Sequence, residues 1–81
     1  MTARPLYVIA DEIDFNWSLV GKGVNFAARP YLNAMRQLDS IDDMYYYDTA
    51  DSVVRYFLAN ATSWRGETAK RIKAELKGML K

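Results

Sequence analysis

Residues 48–61 read Asp-Thr-Ala-Asp-Ser-Val-Val-Arg-Tyr-Phe-Leu-Ala-Asn-Ala, and this stretch decides the fold of the chain. Its apolar residues recur with the period of an amphipathic helix; they are Ala50, Val53, Val54, Phe57, Leu58 and Ala61. Asp48 is a good N-cap, and Asp51 follows three residues later, as in a capping box. The stretch therefore predicts a helix that buries one face against neighbouring elements.

Residues 62–81 predict another helix after a short break. It begins at Trp64 or just after Gly66, and Ser63 is the expected cap. Its apolar stripe comprises Trp64, Thr68, Ile72, Leu76, Met79 and Leu80. A tryptophan in line with such a stripe is more often buried than functional, so Trp64 is expected in the core.

Two further helices are predicted before residue 39. The first opens at Pro5, a favourable first helical residue, and leaves Val8 and Phe15 outside its apolar stripe. That stripe comprises Leu6, Ile9, Ala10, Ile13 and Trp17. The second opens at about Asn25 and must hold Pro30 in its first turn, because a proline deeper inside would break it. Its apolar face comprises Tyr31, Ala34, Met35 and Leu38.

The fold class follows from the helical periods and from the length of the chain. No segment alternates apolar and polar residues between turn signals, as a half-buried strand does. Eighty-one residues fit one domain. We therefore predict an all-α fold, a small bundle of three to four helices that forms a single domain over residues 1–81.

Composition excludes several kinds of chemistry. The sequence contains neither cysteine nor histidine, which excludes disulfides, the commonest zinc ligands and any nucleophile paired with an imidazole. The apolar run near the start is too short for a secretory signal or a membrane span. We expect a cytoplasmic protein that binds no metal and no cofactor, is not an enzyme and does not contact membranes.

The segment between the second and third predicted helices, residues 39–48, is both acidic and aromatic. It contains three consecutive tyrosines, which cannot all face one core. Tyrosine supplies a large, rigid contact area and is enriched in binding hot spots. The candidate protein-binding residues are Asp42, Asp43, Tyr45, Tyr46 and Tyr47. The aspartates lack the spacing of an EF-hand, which makes a calcium site an unfavoured alternative.

The last helix offers a basic face as an alternative binding surface. Residues 62–81 carry six Lys or Arg against two Asp or Glu, whereas residues 1–61 carry five against eight. The candidate nucleic-acid-binding residues are Arg65, Lys70, Lys73, Lys77 and Lys81. The face of Lys70, Lys73 and Lys77 lacks the Arg, Asn or Gln side chains that usually read base edges, and a solvated helix face is the plainer interpretation. Arg71 is spaced for ion pairs with Glu67 and Glu75.

Two stretches resemble small proteins encoded by bacteriophages and prophages. The longer stretch, from Tyr56 to Leu76, covers about a quarter of the chain and ends in Trp-Arg-Gly-Glu-Thr-Ala-Lys-Arg-Ile-Lys-Ala-Glu-Leu. The shorter one, from Asn25 to Leu32, reads Asn-Phe-Ala-Ala-Arg-Pro-Tyr-Leu. The resemblance implies action in a host-cell cytoplasm by binding, but it brings no activity that could be assigned to particular residues.

These observations favour a non-enzymatic adaptor or modulator that binds a protein partner, which the sequence does not identify. A nucleic-acid-associated protein that uses the basic face is the alternative. An enzyme whose acid or base is a carboxylate is a third possibility; such chemistry needs a cleft and a shifted pKa, which a sequence does not show. The oligomeric state is left open.

Overall fold

The computed structural model of the protein describes residues 3–21 and 23–80. The elements are α1 (Leu6–Val20), α2 (Arg29–Met35), β1 (Met44–Tyr45), β2 (Asp48–Thr49), α3 (Ala50–Ala59) and α4 (Glu67–Met79). More than half of the described residues are helical, and the two short strands pair only with each other. The predicted all-α class is confirmed, with one small hairpin added.

Helix α1 crosses the molecule between α2 and α4 and supplies the first layer of the core. The helix follows Pro5, whose ring sets the backbone angle that a helix needs at its start. The five apolar residues predicted from the helical period are all buried, and they are Leu6, Ile9, Ala10, Ile13 and Trp17. Val8 and Phe15 lie outside this stripe, as their spacing predicts, and both are exposed.

Helices α2 and α3 pack against each other and carry the hairpin between them. Pro30 lies in the first turn of α2, as predicted. The predicted cap of α3 is wrong by one residue: Thr49, not Asp48, is the N-cap, and its hydroxyl accepts a hydrogen bond from the Ser52 amide at 3.1 Å. Asp48 is instead held in β2 by its pairing with Tyr45.

Helix α4 starts at Glu67, after Gly66. Gly66 has φ +112°, a conformation that a residue with a Cβ rarely adopts, so this glycine ends the preceding turn and lets the helix begin. The prediction that Ser63 caps α4 is wrong, because Gly66 is the N-cap residue; the Ser63 hydroxyl instead accepts a hydrogen bond from the Asn25 side-chain amide at 3.3 Å.

Three aromatic rings meet at the centre of the core. Trp64 is completely buried, and its ring is stacked on Trp17 at 5.6 Å between centroids with 15° between the planes. Phe57 meets both rings edge-on at 6.4 Å. The Trp64 indole N–H donates to Asn16 Oδ1 at 3.0 Å, so its one polar atom is satisfied. The prediction that Trp64 is a core residue is confirmed.

Ion pairs join the helices across their outer edges. Arg4, just before α1, donates to Glu12 at 2.8 Å and to Glu75 of α4 at 2.6 Å. Arg71 also pairs with Glu12, so the ion pairs predicted along α4 form between helices instead. The reason is geometric: the edge of α1 that faces α4 presents a carboxylate within reach of both guanidinium groups.

Candidate functional site

The acidic and aromatic segment forms a β-hairpin that leads directly into α3. Met44 pairs with Thr49 and Tyr45 pairs with Asp48, so Tyr46 and Tyr47 form a two-residue turn. Tyr46 has φ +54°, in the left-handed region. Glycine or asparagine usually occupies such positions, and a bulky side chain there is strained. The hairpin thus holds a tyrosine where the backbone favours a smaller residue.

The three tyrosines of the hairpin have different environments. Tyr45 is half-buried and packs against the core. Tyr46 is 78% exposed and meets the Tyr45 ring edge-on, at 4.8 Å between centroids. Tyr47 is 98% exposed. The three tyrosines therefore do not all face the core, as predicted, and two of them project from the turn.

The two predicted aspartates differ in what they do. Asp43 Oδ2 accepts hydrogen bonds from the backbone amides of Ser40 and Asp39, both at 3.0 Å, and these bonds hold the pKa of Asp43 below its usual range. Asp43 therefore shapes the turn before the hairpin. Asp42 is exposed beside it, and its amide donates to the Ser40 hydroxyl at 3.1 Å. Asp42 is thus the more exposed of the two aspartates.

A cavity of about 320 Å³ lies beside the hairpin, between α2 and α3. We call it the tyrosine pocket; it is lined by Pro30, Tyr31, Ala34, Tyr45, Asp48, Ser52, Val53 and Tyr56. The rings of Tyr31 and Tyr56 are stacked, with centroids 5.5 Å apart and planes at 25°. Sequence reasoning placed Tyr31 in the core and did not single out Tyr56. The available signal was that Tyr56 is an aromatic residue outside the apolar stripe of α3.

The chain segment that contains the hairpin is acidic. Residues 37–54 contain five aspartates and no lysine or arginine. The Asp48 side chain is exposed and, among the described residues, forms no salt bridge. The hairpin segment therefore carries negative charge next to the exposed rings of Tyr46 and Tyr47.

The predicted basic face of α4 is interrupted at its centre. Lys73 is half-buried, its Nζ donates to the Trp64 carbonyl at 2.6 Å, and it lies 5.8 Å from the centroid of the Trp64 ring. Burial, with smaller effects from Lys77 and Arg65, lowers the pKa of Lys73. Arg65, Lys70 and Lys77 are exposed. Lys81 lies outside the described residues.

Other apolar side chains are exposed away from the hairpin. Phe15 and Leu19, one turn apart on α1, are 68% and 67% exposed, and Val8 lies on the same face. Phe26, before α2, is almost fully exposed. The sequence singled out Val8 and Phe15 but neither Leu19 nor Phe26. Val8, Phe15 and Leu19 therefore form an exposed apolar stripe along α1.

Comparisons with protein-family models, curated proteins and solved structures find no match to this chain. Within residues 3–21 and 23–80, no group of three or more Asp or Glu side chains is arranged to hold a metal ion. In the same part of the chain, no helix has the length and apolar character needed to cross a membrane.

Proposed function

We propose that the protein is a non-enzymatic module that binds a protein partner through its hairpin surface, formed by Asp42, Asp43, Tyr45, Tyr46 and Tyr47. The observation that carries the proposal is the exposure of Tyr46 and Tyr47 at the tip of a structured turn. Large aromatic side chains presented together at a surface are typical of interaction sites. The resemblance to phage proteins supports an adaptor or modulator role in a host-cell cytoplasm.

The five residues have separate roles in this proposal. Tyr46 and Tyr47 contact the partner. The half-buried ring of Tyr45 packs edge-on against the Tyr46 ring and holds it in position. Asp43 holds the turn that positions the hairpin. Asp42 lies at the rim, where a charge mainly changes the rate of association. Strain at Tyr46 fits a site where the backbone is shaped for binding and not for stability.

The test is a double variant, Tyr46→Ser with Tyr47→Ser, measured against a partner captured from host-cell lysate. Loss of a hot-spot tyrosine costs about 2 kcal/mol or more, so the affinity should fall roughly thirtyfold or further. The melting temperature should stay close to that of the wild type, because both side chains are exposed.

The matched control is Tyr7→Ser, which removes an exposed tyrosine from α1. This variant should bind the partner as the wild type does. A partner that binds the double variant as tightly as the wild type would show that the hairpin surface is not the binding site.

A second candidate function is nucleic-acid association through the exposed Arg65, Lys70 and Lys77. Arg65 lies just before α4, and Lys70 and Lys77 lie within it. Arg65 and Lys70 line one cavity at the start of this helix. Changing all three to Gln should abolish DNA binding. Any residual affinity should vary little with salt concentration, because fewer counterions are released on binding. If the wild type binds no DNA at low salt, this function is wrong.

A further inference from the structure

We infer that the tyrosine pocket receives an arginine side chain of the protein partner. The inference rests on the proposed function and specifies the chemistry of that partner. Three observations carry it: the aromatic walls of the pocket, its unpaired carboxylate, and its connection to the hairpin surface.

The walls of the pocket suit a flat cation. Tyr31, Tyr45 and Tyr56 line it together with Pro30. The faces of tyrosine rings carry partial negative charge and attract cations, and guanidinium groups meet them more often than ammonium groups do. The volume of about 320 Å³ is that of a small ligand site and is large enough for one long side chain.

The charge of the pocket selects a basic side chain. Asp48 is one of the lining residues, and no described residue forms a salt bridge with its carboxylate. The nearest cation along the chain, Arg55, donates to Asp51 one turn into α3. An arginine can bind a carboxylate through two parallel hydrogen bonds while its plane stacks on a ring, whereas a lysine offers a compact, strongly hydrated charge. Arginine therefore uses both features of the pocket.

Tyr45 links the pocket to the hairpin surface. Tyr45 is one of the residues that line the pocket, and its ring contacts the Tyr46 ring edge-on, with 4.8 Å between centroids. A partner that covers Tyr46 and Tyr47 therefore lies next to the pocket opening. An arginine in a basic segment of that partner would enter the pocket while neighbouring residues contact the turn.

The test uses N-acetyl-argininamide as the probe and the full chain, observed by ¹⁵N–¹H correlation NMR at low salt. N-acetyl-citrullinamide is the matched neutral probe, since it keeps the shape of arginine without the charge. We expect the arginine probe to shift the amide signals of Tyr31, Tyr45, Ser52 and Tyr56. The citrulline probe should bind at least about threefold more weakly, the effect of one exposed charge pair.

Two pairs of variants locate the interaction. Asp48→Asn and Tyr56→Ala should each weaken binding of the arginine probe by roughly three- to fivefold, as expected for an exposed ion pair or cation–π contact. Asp39→Asn and Tyr7→Ala remove an exposed aspartate and an exposed tyrosine from outside the pocket lining. These controls should leave binding unchanged.

Several results would overturn the inference. They are equal binding of the arginine and citrulline probes, tighter binding of N-acetyl-lysinamide, shifts confined to residues outside the pocket, or unchanged binding to Asp48→Asn. None of these results affects the partner affinity measured with the Tyr46 and Tyr47 variant. The arginine inference can thus be wrong while the proposed binding role of the hairpin surface is right. The reverse outcome is distinguished by the same two measurements.

Discussion

The side chain of Trp64 joins parts of the chain that are distant in sequence. Its ring stacks on Trp17 of α1, and its indole N–H donates to Asn16 one residue earlier. Its carbonyl accepts from Lys73 of α4. A single residue in the turn between α3 and α4 therefore fixes both flanking helices against α1.

Trp64→Ala should destabilise the protein by about 3–5 kcal/mol, because it removes a fully buried ring and leaves a cavity. That loss is large compared with the total stability of a small domain, which is about 5–15 kcal/mol. Urea unfolding followed by circular dichroism measures it. Phe26→Ala, at an exposed aromatic, should change stability by less than about 0.5 kcal/mol. Equal stabilities of the two variants would contradict the buried position of Trp64.

Lys73 and Lys70 lie on the same helix but should respond differently to the same substitution. Lys73→Ala removes the hydrogen bond to the Trp64 carbonyl and the cation above its ring, so it should cost about 1 kcal/mol. Lys70→Ala should stay within about 0.5 kcal/mol, since Lys70 is exposed. Both changes alter helix propensity equally, so thermal unfolding of the pair isolates the contact. Equal melting temperatures would assign Lys73 to the solvated basic face.

At the scale of elements, the hairpin is where stability and binding are expected to oppose each other. Tyr46→Asn places a residue that tolerates positive φ at the strained position, so stability should rise by up to about 1 kcal/mol. Binding of the partner should weaken at the same time. The melting temperature and the dissociation constant are the two measurements.

Tyr47→Asn is the control for this effect, because Tyr47 is not among the residues with positive φ. It should weaken partner binding without any gain in stability. A Tyr46→Asn variant that loses stability would show that the ring contact with Tyr45 outweighs the backbone strain.

The helices were predictable from sequence and the hairpin was not, for physical reasons that differ between them. Burial along α1 follows the helical period, which is local information, so all five core residues of that helix were identified. Strands of two residues are too short to show alternation, and the turn carries Tyr46 and Tyr47 in place of the usual Asn-Gly. The cap of α3 moved to Thr49 for the same reason, since the hairpin includes Asp48.

The candidate site was only partly predictable. Exposure of two hairpin tyrosines follows from their adjacency, so sequence alone indicated it. The tyrosine pocket combines residues from α2, α3 and the hairpin, and its existence depends on how these elements pack. The pairing of Arg71 with Glu12 likewise depends on the placement of α1 beside α4, which no spacing along one helix reveals.

At the scale of the whole molecule, carboxylates on both sides of α1 hold it to its neighbours. Arg4 lowers the pKa of Glu12, with a smaller contribution from Arg71, and Arg4 also lowers that of Glu75. Arg29, followed by Arg36, lowers the pKa of Asp14 on the side that faces α2. The folded protein therefore releases the protons of these groups more readily than the unfolded chain does.

Stability should accordingly be constant above about pH 5 and should fall as the pH drops through the folded pKa values. The contribution is complete above the ordinary pKa values of 4.5 for glutamate and 3.8 for aspartate, because all three groups are then charged in both states. Urea unfolding between pH 7 and pH 2 measures this dependence. A stability that rises on acidification would contradict the pairing.

Arg4→Met should reduce stability at pH 7 by roughly 1 kcal/mol and should make the acid-induced loss smaller. It removes the group that pairs with both Glu12 and Glu75. Arg55→Met, which removes the pair with Asp51 within α3, serves as the control and should change the pH dependence less. An identical pH profile for Arg4→Met and the wild type would exclude a role for this bridge between helices.

The stacking of the two tryptophans has an optical consequence. The chain contains two tryptophans, and both lie in one stack with nearly parallel planes. Because both rings are buried in one fixed, asymmetric environment, they should give a near-ultraviolet circular dichroism signal that is lost when α1 separates from the segment before α4. Tryptophan emission therefore monitors closure of the core. The aromatic residues of the hairpin and the tyrosine pocket are all tyrosines, so binding of a partner should change the weaker ultraviolet bands of tyrosine.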